Sequence, residues 1–334
     1  MSHMMGKDDK VVAVRDPLWH NLQELLKTAP SRQEAEEKVH AYQVIREPLY
    51  RKEFRISENQ MDLDEVYVLH EEAELNVRSD TGRAFGVVRT ERPDIQPAQV
   101  WDMAEFVMDN NDGVVVETAG TYNEGADMYI LLKYDRLIEI AGDKFGDSYS
   151  YLAFQNAYYE GKALRVQPTN MRIGCANMSA ASDMIAEQRG INLSLSHVGN
   201  MRDRIEELKD FMASWETGIQ QWRLAKEFMA SVKVTTEQTN WFIEQFIPAP
   251  AEHLTSDRVK QNIEASRSEL VYELFNDFNR GIMGTALGLF EAASSYDGHV
   301  RAAQSPLTRF KRAVLTPSSV LADAHDLALE AATV

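Results

Sequence analysis

In the first part of the chain, polar and apolar residues alternate in short runs. From Gly199 onward the apolar residues recur every three or four positions. The alternating part predicts strands and turns. Residues 42–50 read as extended, broken by Pro48. Residues 65–69 and 74–78 have strand character. Ser79-Asp80-Thr81-Gly82 then makes a turn with glycine where positive φ is needed, and residues 83–89 return. On that return strand Phe85 and Val87 alternate with Arg83 and Arg89, which share a face. Further strands are expected at 114–119 and 128–134, joined by a turn at Asn123-Glu124-Gly125, and then at 149–156, 163–167, 171–173 and 192–197.

Helices are interspersed. Residues 17–27 read as a short amphipathic helix. Ser31 opens a second, with Glu34 at capping-box spacing. Pro97 opens a third, carrying Val100, Ala104, Val107 and Met108 inward to about Asn110, and a fourth is expected over 177–188. Mixed strands and helices with hairpin-length connections predict an α+β fold: a mixed or antiparallel sheet with helices on one face, followed by an all-helical C-terminal part. Met201, Ile205, Leu208, Met212, Trp215, Ile219 and Trp222 then form a heptad seam on one long helix, read as a bundle helix. Helices follow over 236–246, 257–280, 283–296 and 303–315, and a last one is opened by Thr316 and Pro317. The expected organisation is a flexible tail over 1–15, an α+β core domain over 16–200 and a helical region over 201–334.

Composition narrows the partners. The chain has 334 residues, a net charge of −17 and 44% hydrophobic residues. Such a field opposes phosphate backbones unless the basic residues are gathered. Residues 161–182 hold Lys162, Arg165 and Arg172 without an acid, and residues 299–322 hold Arg301, Arg309, Lys311 and Arg312 without one. No apolar run is long enough to span a bilayer, the first residues lack a signal-peptide core, and a lone cysteine excludes an internal disulfide. These features predict a protein of the cytoplasm, in a bacterial host cell, with no membrane partner.

Candidate chemistry is sparse. Cys175, Asn177 and His197 are the residue types of a thiol protease, but Cys175 stands between apolar Ile173 and Met178, as a small core residue does. The histidines are scattered singly, and no phosphate-binding glycine loop is present, so neither a metal nor another cofactor is expected. A broader signal comes from arginines with aromatic rings, the pairing that tracks phosphates and stacks bases in single strands. Arg46, Arg51, Lys52 and Arg55 form one cluster. Arg78, Arg83, Arg89 and Arg92 flank the hairpin. Lys162, Arg165 and Arg172 lie near Tyr158 and Tyr159 in sequence. Residues 46–92 nevertheless hold eleven acids and eight basic residues, so the local balance stays negative.

Several short pieces in a fixed order carry a family resemblance. They are Trp19-His20, Glu34-Ala35, Tyr42-Gln43-Val44, the turn Val77 to Gly82 with Gly86-Val87-Val88, and Glu117 to Gly120. Ala163 to Val166 with Pro168-Thr169, Arg172, Cys175-Ala176-Asn177 and Ser196 to Asn200 follow, and Gly284-Thr285-Ala286 with Tyr296 and His299 close the series. The chain resembles the phage/plasmid-like proteins grouped as a domain of unknown function, number nine-three-two. It departs from them over 153–164, where relatives more often carry a Ser-His-Asp-Gly run. The resemblance implies a mobile-element context among DNA-metabolism genes and no catalytic residues. By analogy of fold it suggests the single-strand-annealing recombinases, which act as rings or filaments.

The expectation is therefore a non-enzymatic homo-oligomer that binds and anneals single-stranded nucleic acid. Arg78, Arg83, Arg89, Lys162, Arg165 and Arg172 would contact phosphates, and Tyr158 and Tyr159 would stack on bases. The alternative is a protein that binds a host protein, or mimics DNA with its negative charge, to alter host defence or replication.

Overall fold

The computed structural model describes residues 8–14, 24–56, 63–141, 148–172, 193–195, 201–249, 256–276, 279–302, 308 and 319–334. The expected helix over 177–188, that over 303–315 except residue 308, and the Cys175, Asn177 and His197 constellation lie outside these residues.

The fold is α+β. One sheet has seven strands in the order β10-β9-β8-β7-β6-β1-β2, and a second has three in the order β3-β4-β5. In the first sheet β6 (Val114–Tyr122), β7 (Asp127–Ile138), β8 (Ser148–Ala157), β9 (Leu164–Arg172) and β10 (Leu193–Leu195) form an antiparallel meander. Met128 to Lys133 is buried at every position, as befits the middle strand of a covered sheet. β1 (Val11–Val14) lies antiparallel to β6 and parallel to β2 (Glu24–Leu26), which makes the sheet mixed.

Three sequence expectations change here. Residues 11–14 are not part of a tail: Val12, Ala13 and Val14 are buried inside the sheet. Residues 24–26, read as the end of an amphipathic helix, are a strand. Residues 164–172 are one continuous strand rather than two short ones.

α1 (Arg32–Val39) starts where the Ser31 hydroxyl accepts the Glu34 N–H at 3.2 Å. α2 (Pro97–Asn110) starts with proline at its first position and buries Val100, Trp101, Met103, Ala104 and Val107. Arg32 joins the two helices through Asp102, at 2.5 Å, and Glu105. Gln96 ahead of α2 mimics a strand neighbour: its side chain accepts from Val44 N–H and donates to Val44 C=O, each at 2.9 Å.

The second half is helical. α3 (Met201–Ser231) buries Leu208, Trp215, Ile219 and Trp222 along the heptad seam. α4 (Thr236–Phe246), α5 (Asp257–Leu274), α6 (Ala286–Ser295) and α7 (Ser319–Ala331) complete the bundle. α6 is buried from Ala286 to Ser294, and its small residues let α3, α5 and α7 approach. No helix among the described residues is long and apolar enough to cross a membrane.

β3 (Val44–Ile56), β4 (Leu63–Arg78) and β5 (Ala84–Arg89) form the second sheet. Pro48 pairs with Glu74 but Tyr50 pairs with Leu69, so residues 70–73 of β4 stand opposite Leu49 alone. This bulge separates a three-stranded root from a distal two-stranded ribbon.

Candidate functional site

The fold brings several of the sequence-derived residues together at the root of the small sheet. The missing side chain of Gly86 explains the approach: a Cβ there would stand 3.0 Å from the Tyr159 Cβ. Phe85 of β5 stacks on Tyr158 with centroids 5.7 Å apart, and Tyr42 meets both rings edge-on. The Arg89 N–H donates to Glu160 at 3.2 Å. The β4–β5, β6–β7 and β8–β9 connections therefore meet at one place.

Their roles there differ from those expected. Arg78 is 2% exposed and holds the fold together. Its guanidinium donates to Asp80 at 2.8 Å and to the carbonyls of Asp8 and Glu124 at 2.9 and 3.1 Å, and lies 4.4 Å from the Tyr42 ring centre. It anchors the one-turn helix Asn123–Gly125, where Asn123 and Glu124 both adopt φ 59°. Arg78 therefore cannot meet a phosphate without unfolding. Tyr158 is fully buried and donates to the Met128 sulfur, so it cannot stack on a base. Burial pushes its hydroxyl well above the ordinary tyrosine range. Tyr159 is half-buried and donates to Asp127 at 2.9 Å. Arg83 is exposed but paired with Glu124 at 2.5 Å.

Arg89, Lys162 and Arg165 are exposed, and among the described residues none of their side chains makes an ion pair. Arg165 lies on β9 between Gln155 and Ser194, and Arg172 ends that strand opposite Ser148. Carboxylates interleave with the remaining cations. Asp94 accepts from Arg46, Arg92 and Asn76 at 2.7, 3.2 and 2.9 Å. The root is thus a neutralised, structural polar cluster with Arg89 and Lys162 at its rim, and not an open basic trough.

The accessible chemistry sits further out. On the distal ribbon Tyr50, Lys52 and Phe54 of β3 face the same side as their partners Leu69, Tyr67 and Glu65 of β4. Tyr50, Phe54 and Tyr67 are 54%, 60% and 65% exposed, and Leu69 is exposed beside them. The Lys52 ammonium stands 5.1 Å from the Phe54 ring centre and 2.5 Å from Glu65. Arg51 and Arg55 are exposed on the opposite face and share Glu53 at 2.8 and 3.4 Å. Exposed pairs of this kind contribute at most about 1 kcal/mol each and exchange readily for another anion.

The Arg51, Lys52 and Arg55 cluster is visible in sequence, but the extended segment expected over 42–50 runs on to Ile56. The alternation Tyr50, Lys52, Phe54 was the signal that the strand continues and that the rings share a face.

The profile of the family described as "Domain of unknown function (DUF932)" matches residues 84–318. The chain belongs to the DUF932 family. The match begins at β5 and takes in α2, β6 to β10 and the helices from α3 to α6, so the distal ribbon lies outside it, as do β1, β2, α1 and α7. No curated protein and no solved structure matches the chain. Among the described residues, no group of His, Cys, Asp or Glu is placed to hold a metal ion.

Proposed function

We propose that this DUF932 protein binds single-stranded nucleic acid without catalysing a reaction on it, and that the distal ribbon of β3 and β4 is the main contact. One observation carries this reading: three aromatic rings, Tyr50, Phe54 and Tyr67, stand exposed on one ribbon face around Lys52. Large rings left in water at this density ask for a partner. Base stacking on such rings contributes about 1–3 kcal/mol per base and tolerates any sequence. Lys52, on the ring face, supplies a phosphate contact, and Arg89 lies toward the root, where it pairs with Ala73 beside the bulge. Strand annealing is the activity that follows if two strands are presented on neighbouring ribbons.

The test is fluorescence anisotropy of a labelled oligonucleotide titrated with the full chain across salt concentrations. Binding that weakens steadily with salt, and by about tenfold or more in Y50A/F54A/Y67A, is the expected result. A flat response at low salt sinks the reading.

The ion pairs on the ribbon, together with a net charge of −17, favour a second reading, in which the ring face covers a host protein. That reading predicts indifference to oligonucleotides and one co-purifying protein lost in the same triple variant.

A further inference from the structure

The small sheet has an empty lane. β5 pairs with β4 only from Ala73 to Val77, whereas β3 accompanies β4 out to Leu63. The outer edge of β4 over residues 63–72 therefore has no strand partner among the described residues. Thr90 closes just the near end: its N–H donates to the Glu72 carbonyl and its hydroxyl to the Glu71 carbonyl, each at 3.1 Å. β3 is the terminal strand of its sheet, and beyond the root, where Gln96 occupies it at Val44, its outer edge over residues 50–56 has no strand partner among the described residues. A ribbon two strands wide is marginal in water, and its unpaired backbone groups are a template for a further strand.

The two edges carry opposite charge. Residues 63–72 hold Asp64, Glu65, Glu71 and Glu72 and no Lys or Arg. Residues 50–56 hold Arg51, Lys52 and Arg55 against Glu53 alone. All of these side chains are exposed except that of Glu53, which is half-buried.

We propose that β3 of one copy adds, antiparallel, to residues 63–72 of β4 in a second copy, so that the ribbons lie side by side in a head-to-tail array. The self-matched alternatives, β3 on β3 and β4 on β4, set like charges against each other, which destabilises a cross-strand pair. Within one chain β3 is antiparallel to β4, so an incoming β3 runs in the same direction as the resident one. Every ribbon in the array then points the same way. A contact of this kind is heterologous and either closes into a ring or continues as a filament. A strand-to-strand twist of roughly 20–25° turns the row as it grows. Pairing that keeps Tyr50 and Phe54 on the side of Tyr67 and Leu69 carries the ring face from copy to copy. The inference uses the edges of the ribbon and not the ring faces, so it stands or falls independently of nucleic-acid binding.

The test is sedimentation velocity of the full chain at micromolar concentration and about 25 mM salt, where charges on the two edges reach each other over roughly 20 Å. Species larger than a dimer are expected, and they dissociate as salt rises. D64K/E71K reverses one edge and R51E/R55E the other. Each alone is expected to weaken association by about tenfold or more, because like charges then meet. An equimolar mixture of the two variants restores complementary edges and is expected to reassemble beyond a dimer. A wild-type chain that stays monomeric or stops at a dimer overturns the proposal. So do single-edge variants that assemble like the wild type, or a mixture that fails to recover.

Discussion

The indole N–H of Trp101 donates to Nδ1 of His40 across a buried 3.0 Å hydrogen bond. The other ring nitrogen of His40 stands 2.9 Å from the Gly120 carbonyl, so Nε2 carries the single proton and donates it there. One imidazole thereby ties the end of α1 to α2 and to β6. Both of its nitrogens are used only while the ring is neutral, because the cation has no acceptor for Trp101.

Burial lowers the His40 pKa from 6.5 to about 4, against the smaller opposing effect of the Gly120 carbonyl. The unfolded chain therefore takes up this proton before the folded one does. Stability is complete above about pH 6.5 and falls as pH drops toward 4, by roughly 3 kcal/mol from this group. Urea unfolding of the wild type and of His40→Gln at a series of pH values checks this. The difference between the two profiles isolates the histidine from the carboxylates, and a difference that does not change with pH contradicts the assignment.

Arg78 and Arg89 look alike in sequence and should behave oppositely. Arg78→Ala removes a buried cation and strands the carbonyls of Asp8 and Glu124, with an expected cost of about 3 kcal/mol or more. Arg78→Lys recovers little, since one ammonium cannot reach the sites that the guanidinium spans. Arg89→Ala and Arg165→Ala should stay within about 0.5 kcal/mol of the wild type. Chemical denaturation of the four variants reads this directly. It also shows which of them can be used in a binding assay without confusing lost contacts with lost structure.

Lys226 of α3 and Glu291 of α6 form an ion pair whose side chains are 3% and 4% exposed. The Lys226 ammonium lies 4.9 Å from the Trp222 ring centre and 5.9 Å from that of Phe290. Removing one partner leaves a buried charge. Lys226→Met or Glu291→Leu alone is expected to cost about 3–5 kcal/mol, and the double variant clearly less than their sum. A double-mutant cycle by denaturant unfolding measures the coupling. Additive losses would mean that water reaches the pair.

Where local pattern and packing agree, the chain can be read directly. Pro97 and the Asp112-Gly113 stop frame α2 because backbone chemistry sets both ends, and the seam from Leu208 to Trp222 marks α3 because a long apolar stripe has one period. The turn before β5 is legible from Gly82, which adopts φ +70°. β1 and β2 are not legible: four and three residues carry no period, and their pairing depends on distant strands. The site was harder than the fold for a related reason. A charged residue is expected in water, so Arg78 read as a surface contact. Its burial is imposed by Asp80, Tyr42 and carbonyls brought from residues 8 and 124, and of these only Asp80 stands near it in sequence. Tyr158 likewise became core because Phe85 and Tyr42 close over it.

The position of Val11–Val14 has a temporal consequence. Its neighbour β6 bonds it through Thr118, whose hydroxyl donates to the Val12 carbonyl across 106 residues of chain. During synthesis this strand emerges roughly 5–20 seconds before its mate at ordinary ribosomal speed, with its edge toward β6 unpaired throughout the wait. Closing the sheet is then a long-range event, the kind of step that sets folding pace.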